Sequence, residues 1–186
     1  MTTKTESSTV FIDSFDNEAA KFCGDALFNL IGGPGDARPL VFLCIGTDRA
    51  TGDAFGPLVG SGLANLGIEP VYGNLDEPLH AVNLTAKLTS IHARHKNPLI
   101  VAVDACLGKA RKKGEVIVKQ GAISPGLAKG DEIARVGDVS IMGVISNGAL
   151  SAAKPLAALA SARLGLVMRM AWVVIEGINR YLEIKV

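Results

Sequence analysis

Two short apolar runs constrain the fold of this 186-residue chain more than any other feature. Residues 40–45 read LVFLCI, and residues 99–103 read LIVAV. Near-continuous apolar runs of this length are typical of strands that are covered on both faces, as in parallel sheets. Apolar stripes with helical spacing lie between and after the runs, at 55–66, 84–95 and 166–181. This alternation predicts a three-layer α/β/α sandwich with a mostly parallel, mixed central sheet.

The composition excludes several classes of protein. Lys and Arg number 19 against 18 Asp and Glu, so no net charge draws the protein to nucleic acid or to an anionic membrane surface. The three cysteines are scattered and form no CxxC pair, which favours reduced thiols over a disulfide framework. The N-terminal stretch MTTKTESSTV lacks an apolar signal core, and no apolar stretch is long enough to span a membrane. We therefore expect a cytoplasmic protein with no nucleic-acid or membrane partner.

The chain is expected to form a single domain that follows a short arm. Its length and its 48% hydrophobic content suit one globular domain. Residues 1–13 are mostly polar and are predicted to form a flexible arm, with a single α/β domain over residues 14–186. Val10, Phe11 and Ile12 are the apolar exception within the arm. These three side chains are expected to pack against the domain.

Two aspartates stand where the strands of such a sheet would bring them to one edge. Asp53 lies on the loop after the first apolar run, and Asp104 comes directly after the second. In open α/β sheets, ligands bind in the crevice outside the carboxyl ends of the strands. Two carboxyl groups there can share a proton, so that one acts as a base while the other donates. Since two close carboxylates do not both ionise easily, the pKa of one is expected to rise above the usual value of about 3.9.

Each acid also has a structural explanation. Asp53 precedes a predicted helix and suits its N-cap position, and Asp48 suits the turn after Gly46. Asp104 has no obvious helix to cap, and buried carboxylates are rarely unpaired. At the level of sequence, a functional site and a structural role for these acids therefore both stay open.

The loop after the first predicted strand is rich in glycine, with four glycines between residues 46 and 60. Its spacing matches neither of the common phosphate-binding motifs, and the charge of Asp53 would repel a phosphate group. No nucleotide or other cofactor is therefore expected. Gly52 and Gly56 are instead expected to let a substrate backbone approach closely, with Asp48 and Arg49 as further substrate-binding residues.

No metal site is expected. His92 and His95 lie three residues apart on a predicted helix, close enough to share a metal ion, but no third ligand is evident near them. An amphipathic helix often carries such histidines without a function.

The motifs GTDRATGDAFGPLVG at 46–60 and VAVDACLG at 101–108 resemble those of the YyaC family of sporulation proteins. That family is related to the germination protease of endospore-forming bacteria, an atypical aspartic endopeptidase. The likeness runs from about residue 40 to the C-terminus. By this resemblance, the two catalytic aspartates of the germination protease match Asp53, in DAFGP, and Asp104, in DAC.

The hydrogenase-maturation endopeptidases also belong to this group of related proteins, and their fold is phosphorylase/hydrolase-like. They carry acids at the positions of Asp53 and Asp104, carry a histidine further along the chain, and recognise nickel. The present chain has no histidine after His95. The resemblance therefore does not extend to cleavage guided by nickel.

The resemblance implies an aspartic-type endopeptidase that acts in sporulation or spore germination on a peptide or a small spore protein. The expected location is the cytoplasm of the sporulating cell or the spore core. Asp53 and Asp104 would hold the attacking water molecule, and Asp48 would support the site. A second hypothesis is a catalytically degenerate protease fold that binds a peptide or a partner protein. A third, hydrolysis or phosphorolysis of a small molecule, would need an anion site, for which Arg49 is the only cation of the loop. The sequence leaves open whether the chain forms a homo-oligomer.

Overall fold

A seven-stranded mixed sheet lies between two layers of helices in the computed structural model, which describes residues 4–6, 8–33, 36–108, 111–125, 135–147 and 155–185. The helices are α1 (Ala19–Ile31), α2 (Phe55–Asn65), α3 (Leu84–Arg94), α4 (Pro155–Ala160) and α5 (Leu164–Lys185). The strands are β1 (Lys4–Glu6), β2 (Thr9–Asp13), β3 (Leu40–Cys44), β4 (Val71–Tyr72), β5 (Leu99–Gly108), β6 (Glu115–Gln120) and β7 (Val139–Asn147). The predicted α/β/α sandwich is confirmed.

The strand order across the sheet is β1-β2-β6-β7-β5-β3-β4. The four strands from β7 to β4 are parallel to one another. The other three pairings, β1 with β2, β2 with β6 and β6 with β7, are antiparallel. The helical connections α2 and α3 follow from the parallel half, because parallel neighbours need a crossover.

The core has two parts, one on each face of the sheet. On β3, the side chains of Phe42 and Cys44 join the cluster under α1, α2 and α5. The alternating residues Val41 and Leu43 join the cluster under α3. Because successive side chains of a strand point to opposite faces, a strand buried on both faces must be apolar throughout, which explains the run at 40–45. No helix among the described residues combines the length and the apolar character needed to cross a membrane.

The N-terminal segment differs from the flexible arm predicted over residues 1–13. Residues 9–13 form β2, which pairs antiparallel with β6, and β1 pairs with the outer side of β2. Phe11 and Ile12 are only 6% and 1% exposed, which confirms that they pack against the domain. The strand forms because Phe11 and Ile12 bury their side chains on opposite faces of the sheet once β6 supplies backbone partners. Those partners lie far along the chain and leave no sign in the arm itself.

Candidate functional site

The strand order reverses between β3 and β5. From β3 the chain runs through α2, on one face of the sheet, to β4, and it returns through α3, on the other face, to β5 on the opposite side of β3. The crevice outside the carboxyl ends of β3 and β5 is therefore the topological switch point, where open α/β sheets bind their ligands. Both predicted catalytic aspartates belong to segments that meet at this edge.

Asp104 lies inside β5, which corrects the prediction that it follows the end of a strand. The strand continues to Gly108 because its outer half pairs with β7, where Asp104 lies opposite Met142. On the other side, the pairing of β3 with β5 ends at Cys44 and Val103. Asp104 is thus the first residue of β5 beyond the end of β3. Asp104 is half-buried, and its Oδ1 accepts a hydrogen bond of 2.8 Å from the N–H of Ala105.

The alternation of β5 determines the face on which the Asp104 side chain lies. Val101 and Val103 belong to the core under α1, α2 and α5, whereas Ala102 belongs to the core under α3. Asp104 and Cys106 follow Ala102 at intervals of two and therefore lie on the face of α3. Burial, together with a smaller effect of the nearby charge of Asp104, raises the pKa of the Cys106 thiol to about 12. Cys106 is therefore protonated at neutral pH, and its thiol is a poor nucleophile.

Asp53 lies on the turn before α2. The helix begins at Phe55, and Ala54, not Asp53, holds its N-cap position. The main-chain oxygen of Asp53 packs against Gly46, so closely that a β-carbon at Gly46 would come within 1.9 Å of it. Gly46 also has a φ of 141°, in a region that side-chain-bearing residues rarely adopt. Glycine at position 46 therefore allows the Asp53 turn to lie against the end of β3.

A short series of main-chain contacts links the segment of Asp53 to that of Asp104. The N–H of Ile45 donates a hydrogen bond of 2.7 Å to the carbonyl of Val103, the residue before Asp104. Gly46 follows Ile45 and contacts the main chain of Asp53. Since neighbouring strands lie about 4.8 Å apart, the main chains of Asp53 and Asp104 belong to adjacent segments of the same crevice. That their carboxyl groups converge on one water molecule stays a prediction.

Gly52 and Gly56 are buried in the protein. A β-carbon at Gly56 would come within 2.0 Å of the carbonyl oxygen of Ile45. A β-carbon at Gly52 would meet Ile145 at 2.7 Å and the carbonyl oxygen of Leu159 at 2.9 Å. The N–H of Gly52 donates to that same Leu159 oxygen. The close approach that Gly52 and Gly56 were expected to allow a substrate backbone is thus made by the protein's own backbone and side chains.

Asp48 and Arg49 lie on the rim of the crevice. Both residues are exposed, on the turn that follows Gly46. Within this turn, the N–H of Arg49 donates to the Oγ1 of Thr47 over 3.4 Å. This location is accessible to a substrate that enters from solvent, and the substrate-binding role of the two residues stays a prediction.

The structure adds His80 to this edge, where sequence reasoning did not place it. Leu79 forms a parallel bridge with Ile45, and the N–H of Gly46 donates a hydrogen bond of 2.7 Å to the Leu79 carbonyl. His80 comes next in the chain and is half-buried, and its N–H donates to the Oδ1 of Asn83. No periodicity in residues 73–80 indicates this position. It arises only because the chain, after β4, returns to the edge of β3 and runs parallel to it.

His92, on α3, and His95, which follows the end of α3, have other surroundings. The Nε2 of His95 lies 2.9 Å from the hydroxyl oxygen of Tyr72, and His92 is exposed. Within the described ranges, no group of three or more His, Cys, Asp or Glu side chains is arranged to hold a metal ion.

Comparisons with known proteins agree with this architecture. Residues 11–177 match the family described as "Protein of unknown function (DUF1256)". The chain is 42% identical over 144 residues to "Uncharacterized protein YyaC" of Bacillus subtilis (strain 168), a match that covers 76% of this chain and 69% of the relative. Among solved structures, the [NiFe] hydrogenase maturation protease HycI from Thermococcus kodakarensis KOD1 is similar, with a TM-score of 0.57 and 22% identity. That match covers 84% of this chain and 98% of the other. The predicted likeness to YyaC is confirmed, and the fold is of the kind seen in this protease.

Proposed function

The chain belongs to the DUF1256 family, and we propose that it is an aspartic-type endopeptidase that acts in sporulation or spore germination. The observation that carries the proposal is the placement of Asp53 and Asp104 on adjacent segments at the switch point of the sheet. The similarity of the fold to that of a maturation protease supports it. The proposed substrate is a peptide or a small spore protein.

Two aspartates at one crevice suit the hydrolysis of a peptide bond. One ionised carboxyl group takes a proton from a water molecule as the water oxygen attacks the scissile carbonyl carbon. The other carboxyl group, in its protonated form, donates to the carbonyl oxygen, so that negative charge does not build up there. The peptide C–N bond then breaks as a proton passes to the leaving nitrogen. Asp53 and Asp104 exchange these two roles within one turnover.

The crevice is bordered on the solvent side by the exposed turn that carries Asp48 and Arg49. The segment at Leu79 and His80 borders it on the outer side of β3. An extended substrate backbone is proposed to lie between these two segments. The proposed mechanism uses the two carboxyl groups and no metal ion.

The proposal is tested by incubating the full chain with an acid-soluble spore protein and following cleavage by mass spectrometry. Asp53→Asn and Asp104→Asn each remove one acid with almost no change in volume, and each is expected to lower the rate by roughly 10²–10⁴-fold. Asp25→Asn is the matched control, because Asp25 is half-exposed on α1 and pairs with Lys21. Its rate should equal that of the wild type.

Two outcomes would count against the proposal. If either active-site variant cleaved as fast as the wild type while remaining folded, the two-aspartate mechanism would be wrong. If the wild type bound the spore protein but left it intact, the protein would instead be a degenerate protease fold that binds a peptide or a protein partner.

A further inference from the structure

The outer side of α5 forms a groove with the turn that precedes α1, away from the β3 and β5 crevice. The groove is shallow and open to solvent, with a volume of about 500 Å³. Apolar side chains of Phe15, Met168, Trp172 and Val173 line it. Phe15 and Trp172 are each 55% exposed, although large aromatic side chains are typical of the buried centre of protein interfaces. This surface therefore has the chemistry of a contact region.

Two opposite charges of α5 flank the aromatic centre of the groove, and Asp16, from the turn before α1, also lines it. Arg169 and Glu176 both line it, and both are exposed. They are seven residues apart, which is almost two turns of a helix, so they lie on the same side of α5 and roughly 10 Å apart along its axis. Trp172 lies between them. The guanidinium of Arg169 is held over the ring of Phe15, at 4.8 Å from the ring centre.

We infer that two copies of this chain associate through α5, with the two helices antiparallel across a two-fold axis between Trp172 and Val173. Arg169 and Glu176 are equally far from this axis along the helix. The axis therefore places Arg169 of each copy opposite Glu176 of the other, and it brings the two Trp172 side chains together at the centre. Such an interface is isologous, in that the same patch is used by both subunits.

The pattern of charge favours a second copy over an unrelated partner. A helix that pairs with itself in antiparallel orientation needs opposite charges placed symmetrically about its apolar centre, and α5 has this arrangement.

The test is sedimentation equilibrium of the full chain over a range of concentrations. The wild type is expected to be a dimer at micromolar concentration. Arg169→Glu and Glu176→Arg each place like charges opposite one another and are expected to raise the dissociation constant by roughly tenfold or more. The double variant Arg169→Glu/Glu176→Arg restores opposite charges at both contacts and should restore the dimer.

A second measurement uses tryptophan fluorescence to detect burial of Trp172 at the proposed interface. Trp172 is the only tryptophan of the sequence, so its fluorescence emission should shift to shorter wavelength as concentration rises and the side chain becomes buried. Arg94→Glu reverses an exposed charge on α3 and should leave the dissociation constant unchanged. Circular dichroism establishes that each variant is folded. A monomeric wild type, folded single variants that dimerise as well as the wild type, or a folded double variant that stays monomeric would each overturn the inference.

Discussion

The carbonyl oxygen of Ile45 lies directly against the α-carbon of Gly56, at the point where the first turn of α2 meets the end of β3. Contact this close requires a residue without a side chain. It fixes the start of α2 on the sheet, and the Asp53 turn immediately precedes that start. One glycine thus sets the position of a proposed catalytic loop without taking part in its chemistry.

Gly56→Ala is expected to lower both stability and activity. The added β-carbon would lie 2.0 Å from a main-chain oxygen, so α2 must move, and overpacking of this kind costs about 1–3 kcal/mol. Urea unfolding measures the loss of stability, and the spore-protein assay measures activity. Gly165→Ala is the control, because nothing lies within 4 Å of its β-carbon and alanine is the better helix former. A Gly56→Ala protein as stable as the wild type would contradict the packing argument.

Ile12→Ala tests whether β2 is part of the cooperative fold. Ile12 is 1% exposed, and removing a buried isoleucine side chain to alanine typically costs about 2–5 kcal/mol. The free energy of unfolding in urea should fall by that amount. Val82→Ala, at a residue that is 90% exposed, should change it by less than about 0.5 kcal/mol. Equal stability of the two variants would mean that the N-terminal strand contributes little to the fold.

The sequence predicts the elements whose burial shows in local patterns and misses those that depend on distant partners. Leu40–Cys44 can be predicted as a strand from its sequence, because both of its faces are covered and it is therefore apolar throughout. The extension of β5 beyond Val103 is not, because residues 104–108 have no strong strand pattern and are held by β7. For the site, the pattern indicates the edge to which Asp53 and Asp104 belong. It cannot show that Gly56 packs inward or that His80 borders the crevice, since both depend on how separate segments meet.

The pair Asp13 and Lys112 should make stability depend on pH. The Nζ of Lys112 donates a hydrogen bond of 2.6 Å to Asp13, which holds the pKa of Asp13 below its usual value of 3.8. A pKa that is lower in the folded state stabilises the fold above about pH 4, and this contribution is lost as the pH falls through the lowered value.

Asp13→Asn should therefore reduce the drop in unfolding free energy between neutral and acidic pH, measured in urea. Asp25→Asn should leave this drop in unfolding free energy unchanged. Asp25 and Lys21 are 3.6 Å apart and both half-exposed, so their ion pair contributes little to stability. A drop in Asp13→Asn as large as that of the wild type would show that the Lys112 contact is not formed in solution.

Cys106 should react slowly with iodoacetamide in the folded protein, because burial raises its pKa to about 12 and only the thiolate reacts. Asp104→Asn removes the negative charge that contributes to this rise, so the pKa should fall and alkylation at Cys106 should become faster. Peptide mapping by mass spectrometry identifies the labelled residue. If alkylation of Cys106 were no faster in Asp104→Asn than in Asp25→Asn, the two side chains would not share one face of β5.

The pairing of β2 with β6, in which Thr9 lies opposite Lys119, also has a consequence for synthesis on the ribosome. One edge of β2 can pair with β1 at once, but the other edge must wait for β6, which is made more than a hundred residues later. At a translation rate of about 5–20 residues per second, this delay is roughly 5–20 s. Throughout it, Phe11 and Ile12 face water on the nascent chain, and the β1-β2-β6 half of the sheet can close only after the parallel half has begun to be made. Vectorial synthesis therefore works against this contact, and β2 stays open to capture by a chaperone until β6 has been made.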